Sequence, residues 1–318
     1  MYRGCLSLIF AFALFFAFSS YSLYSQTPST NNQPVRTVTI PISIFTKKEL
    51  REGQAEEYIQ ADQLIVREDN DEQQILSIKS VGDSPLCIAL LIQDDLTANF
   101  NLQIKDIQQF IRGLPKGTRV LVAYLRSGSP QIVQKFTDDL DRAANSLRIV
   151  AGTEAVAPRD PYEGVMEILP KFDAMPAGRR AILLFSDGLD VTQGLSLASI
   201  TQSFDLDQAI LKAQRRSVAV YSFYGTTALT ESSGSTLSFA AQGALQKLSD
   251  GTGGRAFYSG SIAPISYIPF FRELVLNLNR QFALTYLSTH MNKGYHKVTV
   301  RSTNPEVKIE HPNGYYYR

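Results

Sequence analysis

Between residues 86 and 280 the chain alternates short, wholly apolar runs with segments whose apolar residues recur at helical spacing, and few architectures tolerate that order. "LCIALLI" is apolar throughout, "NLQIKDIQQFIRGL" places Ile104, Ile107, Ile111 and Leu114 on one helical face, and "TRVLVAYLR" is apolar again. A strand that is apolar at every position has no face to offer water, so it must be covered on both sides. The intervening amphipathic helices supply the cover, which predicts a doubly wound, mainly parallel α/β sheet over residues 86–280. Its other strands are "PQIVQKF", residues 181–185 and "VAVYSFY". Its other helices lie near 138–149 and 162–172, in "DLDQAILKAQRRS" with Asp205 as the cap, and in "FAAQGALQKLSDGTGG", stopped by its glycines.

The flanks follow a different rule. Within residues 35–85, "VTIPISIF" puts Val38, Ile40, Ile42 and Ile44 on one face of a strand, and "QLIVREDNDEQQILSIKS" reads as a hairpin around an acidic turn from Glu68 to Glu72. After 280 come "QFALTYLS", "HKVTVRS", "VKIEH" and the terminal "NGYYYR". Neither end alone has enough strands to bury a core, so residues 281–318 are expected to pack with 35–85 as a small β-sandwich.

Residues 1–25 carry one arginine, an apolar run from Leu6 to Phe18 and then small polar residues, the pattern of a secretory signal peptide. "QTPSTNNQP" (26–34) reads as a flexible linker. The apolar run is shorter than the roughly 20 residues of a membrane span. The expected location is therefore secreted or periplasmic, with no stable span after cleavage; the alternative is a tether formed by the uncleaved segment. Cys5 precedes the run and Cys87 sits inside "LCIALLI", so the processed chain has no disulfide, and Cys87 reads as a small buried hydrophobe. The 31 basic and 30 acidic side chains are interspersed, leaving a net charge of +1 and no stripe to attract nucleic acid.

Two strands end in acids. "LLIQDDLTANF" gives Asp94 and Asp95, and "RRAILLFSDGLDVTQG" gives Asp187. Open parallel sheets bind ligands outside the carboxyl ends of their strands, and these acids are expected on that same edge. Converging carboxylates need a cation, a proton or solvent between them. A hard divalent ion, Mg²⁺ or Ca²⁺, fits oxygen ligands of this kind.

At these residues the chain resembles the von Willebrand factor type A domain. "LLFSDGLD" resembles a late strand of that family, and "LQKLSDGTGGRAFY" its helix ending in a Thr-Gly-Gly turn. The flanking "QLIVREDNDEQQILSI", "NRQFALTYLS" and "NGYYYR" resemble those of a secreted acidobacterial group of such proteins. The resemblance implies a metal-ion-dependent adhesion site with an Asp-x-Ser-x-Ser loop, a Thr from a second loop and a later Asp. Counted from Asp94, the loop offers Leu96 and Ala98, which cannot coordinate; counted from Asp95, it offers Thr97 and Asn99. Strand continuity favours the first register and ligand chemistry the second. For the second loop the candidates are Thr153 and Asp160, and the later acid is Asp187. The implied protein is a non-enzymatic interaction module that binds a protein or other extracellular macromolecule beside a degenerate, weak cation site. The alternative is a module that makes contact without a metal, through the sheet edge or the β-sandwich.

Other motifs read as structural. His290, His296 and His311 lack paired zinc spacing and are expected on surface or edge strands. Gly251, Gly253 and Gly254 follow a helix, whereas a phosphate cradle precedes one. Ser186 lacks the flanking glycines of a nucleophile elbow. A phosphate-accepting receiver domain would need a lysine after a late strand, and "VAVYSFYGTT" has none. A Mg²⁺-dependent hydrolase would need a general base with a partner, which the sequence does not display.

Overall fold

A computed structural model describes residues 34–46, 64–81, 84–152, 160–176, 179–192, 194, 196, 200, 202–260 and 264–317. The expected signal peptide and nearly all of the expected linker lie outside these residues, as does Thr153. Among the described residues no helix is long and apolar enough to cross a membrane.

Six strands form the central sheet: β4 (Leu86–Gln93), β5 (Arg119–Arg126), β6 (Ser129–Thr137), β7 (Arg179–Ser186), β8 (Ala219–Tyr224) and the short β9 (Ala256–Phe257), in the order β6-β5-β4-β7-β8-β9. All neighbours are parallel except the edge strand β6, which returns along β5 through a hairpin at Ser127 and Gly128. Both turn residues have positive φ (51° and 88°), the conformation that matches a two-residue turn to strand twist.

Every residue of β4 is buried, and its apolar run divides by pleat. Ile88, Leu90 and Ile92 face one core layer, with Ile107, Phe110 and Ile111 of α1 (Ile104–Arg112), Ala143 and Ala144 of α2 (Leu140–Asn145), and Phe271, Leu274 and Leu278 of α7 (Ile268–Asn279). Cys87, Ala89 and Leu91 face the other layer. There they meet α3 (Pro161–Ile168), α4 (Phe204–Arg215) and α6 (Ser235–Thr252), all on the opposite side of the sheet. Each fully buried Leu or Ile contributes about 1.5–3 kcal/mol, so the two-sided cover is what holds β4 at the centre. α6 ends at Gly253, whose φ of 80° is the left-handed cap expected of its glycines. A short helix α5 (Ala228–Ser232) follows β8.

The flanking strands form a second sheet: β1 (Arg36–Thr46), β2 (Leu64–Glu68), β3 (Asp71–Ser80), β10 (Gln281–Ser288), β11 (Gly294–Ser302), β12 (Val307–Glu310) and β13 (Gly314–Tyr317). Their order, β12-β1-β10-β3-β2-β11-β13, is antiparallel throughout. This corrects the expected β-sandwich: strands from the two ends interleave in a single layer, β10 pairing with both β1 and β3, and do not face one another as two layers. Its apolar face gathers Val38, Ile40, Ile42, Ile44, Val66, Leu284, Tyr286, Val298 and Val300 in one cluster. The hairpin between β2 and β3 turns on Asp69 and Asn70, both at positive φ, a conformation that short polar side chains tolerate.

Candidate functional site at the carboxyl edge

Because β4 and β7 are parallel neighbours with Ile92 opposite Phe185, Gln93 and Ser186 end side by side and their loops leave the same edge. The two acidic segments therefore share one rim. What joins them is a neutral amide. Gln93 Oε1 accepts from the Ser186 hydroxyl (2.6 Å) and the Asp187 N–H (3.1 Å), while Nε2 donates to Asp95 Oδ1 (2.9 Å). Asp187 is fully buried, with Oδ1 accepting from Leu189 N–H (3.1 Å) and Oδ2 from the Thr227 hydroxyl (2.8 Å). Those bonds supply the compensation that a buried carboxylate requires.

Asp94 turns to a different partner. The Arg148 guanidinium donates to both of its oxygens, at 2.7 and 3.0 Å, and lies over the Tyr124 ring with its carbon 3.9 Å from the centroid. Tyr124 anchors the same residue from below: its hydroxyl donates to Arg148 O and accepts from Arg148 N–H, each at 2.7 Å. Thr97 Oγ1 lies 3.1 Å from Thr226 Oγ1, which donates to Glu231 (2.8 Å). Asn99 is exposed in a 3₁₀ turn over Ala98–Gln103.

Asp160 occupies a third position. It caps α3, accepting from Tyr162 N–H (2.8 Å) and Glu163 N–H (3.1 Å), with Pro161 in the first helical turn. It lies with Asp190 and Asp205, one carboxylate oxygen from each within 4.8 Å of the others, and this cluster could hold a metal ion. Burial drives the Asp160 carboxyl up to about 7; Asp190 and Asp205 add to the rise, while the two helix N–H bonds oppose it. Asp190 is held by Thr192 (N–H 3.0 Å, hydroxyl 2.6 Å) and by the Ser203 hydroxyl at 2.7 Å. Ser203, and not Asp205, caps α4, accepting from Leu206 N–H at 3.2 Å. The cap falls there because α4 starts at Phe204, two residues earlier than a cap at Asp205 would place it.

Of the expected ligands, Asp95 and Asp187 are thus brought together through Gln93, Asp94 is drawn to Arg148, and Asp160 is gathered with Asp190 and Asp205. Sequence reasoning missed Gln93, Arg148, Thr227 and Asp190. Asp160 followed by Pro161 is itself a helix-start signature and was legible as a cap.

No family model and no curated protein matches the sequence. Solved structures do align. A von Willebrand factor type A protein from Catenulispora acidiphila covers 82% of this chain and 76% of its own at 10% identity, with a TM-score of 0.42. BatB from Bacteroides thetaiotaomicron covers 61% of this chain and 96% of its own at 11% identity and a TM-score of 0.39. The manganese-loaded TRAP protein of Plasmodium vivax covers 78% of this chain and 97% of its own at 10% identity and a TM-score of 0.39. The parallel order β5-β4-β7-β8-β9, covered by helices on both faces, is the doubly wound α/β arrangement expected from the sequence. At 10–11% identity these alignments carry no chemistry over to this chain, so that of the rim is read from its own residues.

Proposed function

We propose that this chain is a protein-binding module, exported by its N-terminal apolar segment, that engages its partner with the carboxyl rim of the α/β sheet and needs no ion between Asp94 and Asp187. The observation that carries this reading is Arg148: a permanent side-chain cation, bidentate on Asp94, takes the place in charge balance that a divalent ion would take in a metal loop. The rim next to it has the composition of a contact surface. Ile149 follows Arg148 and is 68% exposed. Val150 exchanges hydrogen bonds with the Asn101 side chain, next to Leu102, which is 75% exposed. Gln103 donates to the carbonyl of Ile265 at 2.7 Å, and Ile265 is 95% exposed. Large exposed apolar residues beside an anchored ion pair favour a protein partner over a small polar ligand.

A second reading keeps a divalent ion, Mg²⁺ or Ca²⁺, and moves it to Asp160, Asp190 and Asp205, on the strength of their proximity. One experiment separates the two. Immobilised protein is offered a periplasmic or secreted extract in EDTA and in Mg²⁺, beside the Leu102→Asp/Ile149→Asp double variant and Asp190→Asn. Partners retained in EDTA by the wild type and lost from the double variant support the first reading. Retention that requires Mg²⁺ and fails in Asp190→Asn supports the second. Equal retention by every form removes the rim as the contact surface.

A further inference from the structure

The antiparallel sheet brings together side chains that the sequence keeps far apart. Glu68 ends β2, Asp69 opens the hairpin, His296 lies on β11 and His290 follows β10. This corrects the expectation of surface or edge-strand histidines: β11 sits between β2 and β13, and His296 is 4% exposed.

The chemistry of His296 fixes its proton. Nε2 lies 2.7 Å from the carbonyl oxygen of Asn292, and a carbonyl can only accept, so Nε2 carries a hydrogen. In the neutral ring Nδ1 then presents a lone pair. That lone pair faces Asp69 Oδ2 at 2.8 Å and Glu68 Oε1 at 3.2 Å, three acceptors with no donor between them. Either a proton or a metal ion must resolve the contact.

A further atom discriminates between these. Glu68 is 0% exposed, and its Oε1 takes the Tyr315 hydroxyl (2.6 Å) and the Ser288 hydroxyl (2.9 Å), with Arg36 Nη2 at 3.4 Å. Its Oε2 is buried and makes no hydrogen bond of normal geometry, and the buried Tyr286 hydroxyl lies against the same carboxylate. His290 Nδ1 is likewise buried without a hydrogen bond and stands 3.9 Å from Glu68 Oε1. A proton on His296 would satisfy its contact with Asp69 and leave His290 Nδ1 orphaned, at a desolvation cost of about 1–3 kcal/mol.

We propose that Glu68, Asp69, His290 and His296 form a binding site for a divalent transition ion of the Zn²⁺ class. Two imidazoles and two carboxylates suit that class, whereas Mg²⁺ and Ca²⁺ prefer oxygen alone. Ligands on a tetrahedral zinc with bonds of roughly 2.0–2.1 Å stand about 3.3 Å apart; Glu68, Asp69 and His296 bring one ligand atom each to within 4.8 Å of one another, with His296 Nδ1 at 2.8 and 3.2 Å from the two carboxylates, and His290 Nδ1 stands outside that group, 3.9 Å from Glu68 Oε1. The supporting bonds have the form that orients metal ligands. Asn292 holds His296 by its far nitrogen, Tyr315 and Ser288 hold one oxygen of Glu68, and Lys297 N–H donates to the other oxygen of Asp69 at 2.9 Å. Charge agrees: Glu68, Asp69 and the nearby Asp71, 3.2 Å from His290 Nε2, outweigh Arg36 by two negative charges. An ion here would join the hairpin β2–β3 to the C-terminal strands, clamping the two ends of the chain.

The test is calorimetric titration of ZnCl₂ into the EDTA-treated, dialysed full chain, with Co²⁺ absorption as a second readout. The expected result is one ion per chain, visible bands of a four-coordinate Co²⁺, and affinity weakened roughly tenfold or more in both His290→Ala and Asp69→Asn. Asp141→Asn, an exposed acid of α2 paired with Arg112, should bind as the wild type does. Both variants lie at the periphery of the cluster, and far-ultraviolet dichroism confirms that each retains its fold. Absence of heat and of Co²⁺ bands in the wild type overturns the site in favour of a protonated His296, as does unchanged affinity in both variants.

Discussion

The guanidinium of Arg148 closes on both carboxylate oxygens of Asp94, 54 positions earlier in the chain, while stacking on Tyr124. The most prominent acid of the expected metal loop is therefore already paired. Removing the arginine exposes both the worth of the pair and the latent affinity of the loop. Arg148→Ala is expected to lose about 1 kcal/mol in urea unfolding, the sum of a partly exposed bidentate pair and a cation–π contact. It should also gain thermal stabilisation by millimolar Mg²⁺ that the wild type lacks. An identical Mg²⁺ response in the two proteins would show that Arg148 does not block the loop.

Gln93 is the hinge pin of the rim, since one amide serves Ser186, Asp187 and Asp95. Gln93→Leu preserves bulk and leaves the buried Asp187 N–H and the Ser186 hydroxyl without their acceptor. The expected loss is about 1–3 kcal/mol. A double-mutant cycle with Ser186→Ala should show coupling, and strict additivity would mean that the amide does not connect the two strand ends.

Asp160 gives the protein a pH signature. Its folded-state carboxyl sits at about 7, above the ordinary 3.8, because burial and the neighbouring Asp190 and Asp205 disfavour its charge. The folded state therefore binds this proton more tightly than the unfolded chain does. The resulting stability is fully present below about 3.8 and is lost as pH rises through about 7. Asp160→Asn keeps a competent helix cap and should flatten that part of the stability profile. Unfolding midpoints measured across the window check the sign, and parallel profiles for variant and wild type would exclude a titrating Asp160.

Ser203 serves two partners, Asp190 and the first turn of α4. Ser203→Ala is expected to cost about 1–2 kcal/mol by loss of the cap alone. Asp205→Ala should cost less, or stabilise the protein by relieving repulsion within the acidic cluster. Chemical denaturation of the two variants ranks them, and the reverse order would restore Asp205 as the cap.

Much of this architecture is local information. The apolar run of β4, the helical spacing of Ile104, Ile107 and Ile111, and the glycine stop at Gly253 each follow from a period or a backbone preference within a few residues. The acids at 94, 95 and 187 read as strand ends for the same reason, and parallel pairing then puts them on one rim. Their partners were not legible. Arg148 sits in an ordinary loop, and nothing in its neighbourhood says that it reaches Asp94; the Pro161 beside Asp160 marks a helix start, but the meeting of Asp160 with Asp190 and Asp205 depends on how three separate segments pack.

The chain by itself determined the alternation of strand and helix, the two-sided burial of the central sheet and the acidic endings of two of its strands, because hydrophobic period and φ preference act on neighbours in sequence. Only the tertiary structure decided that the end strands share one layer, that Asp94 belongs to Arg148, and that Glu68 meets His296 across 228 positions of chain. Side-chain pairing depends on distance in space and on which group water has left, and neither quantity exists until the strands have found their register.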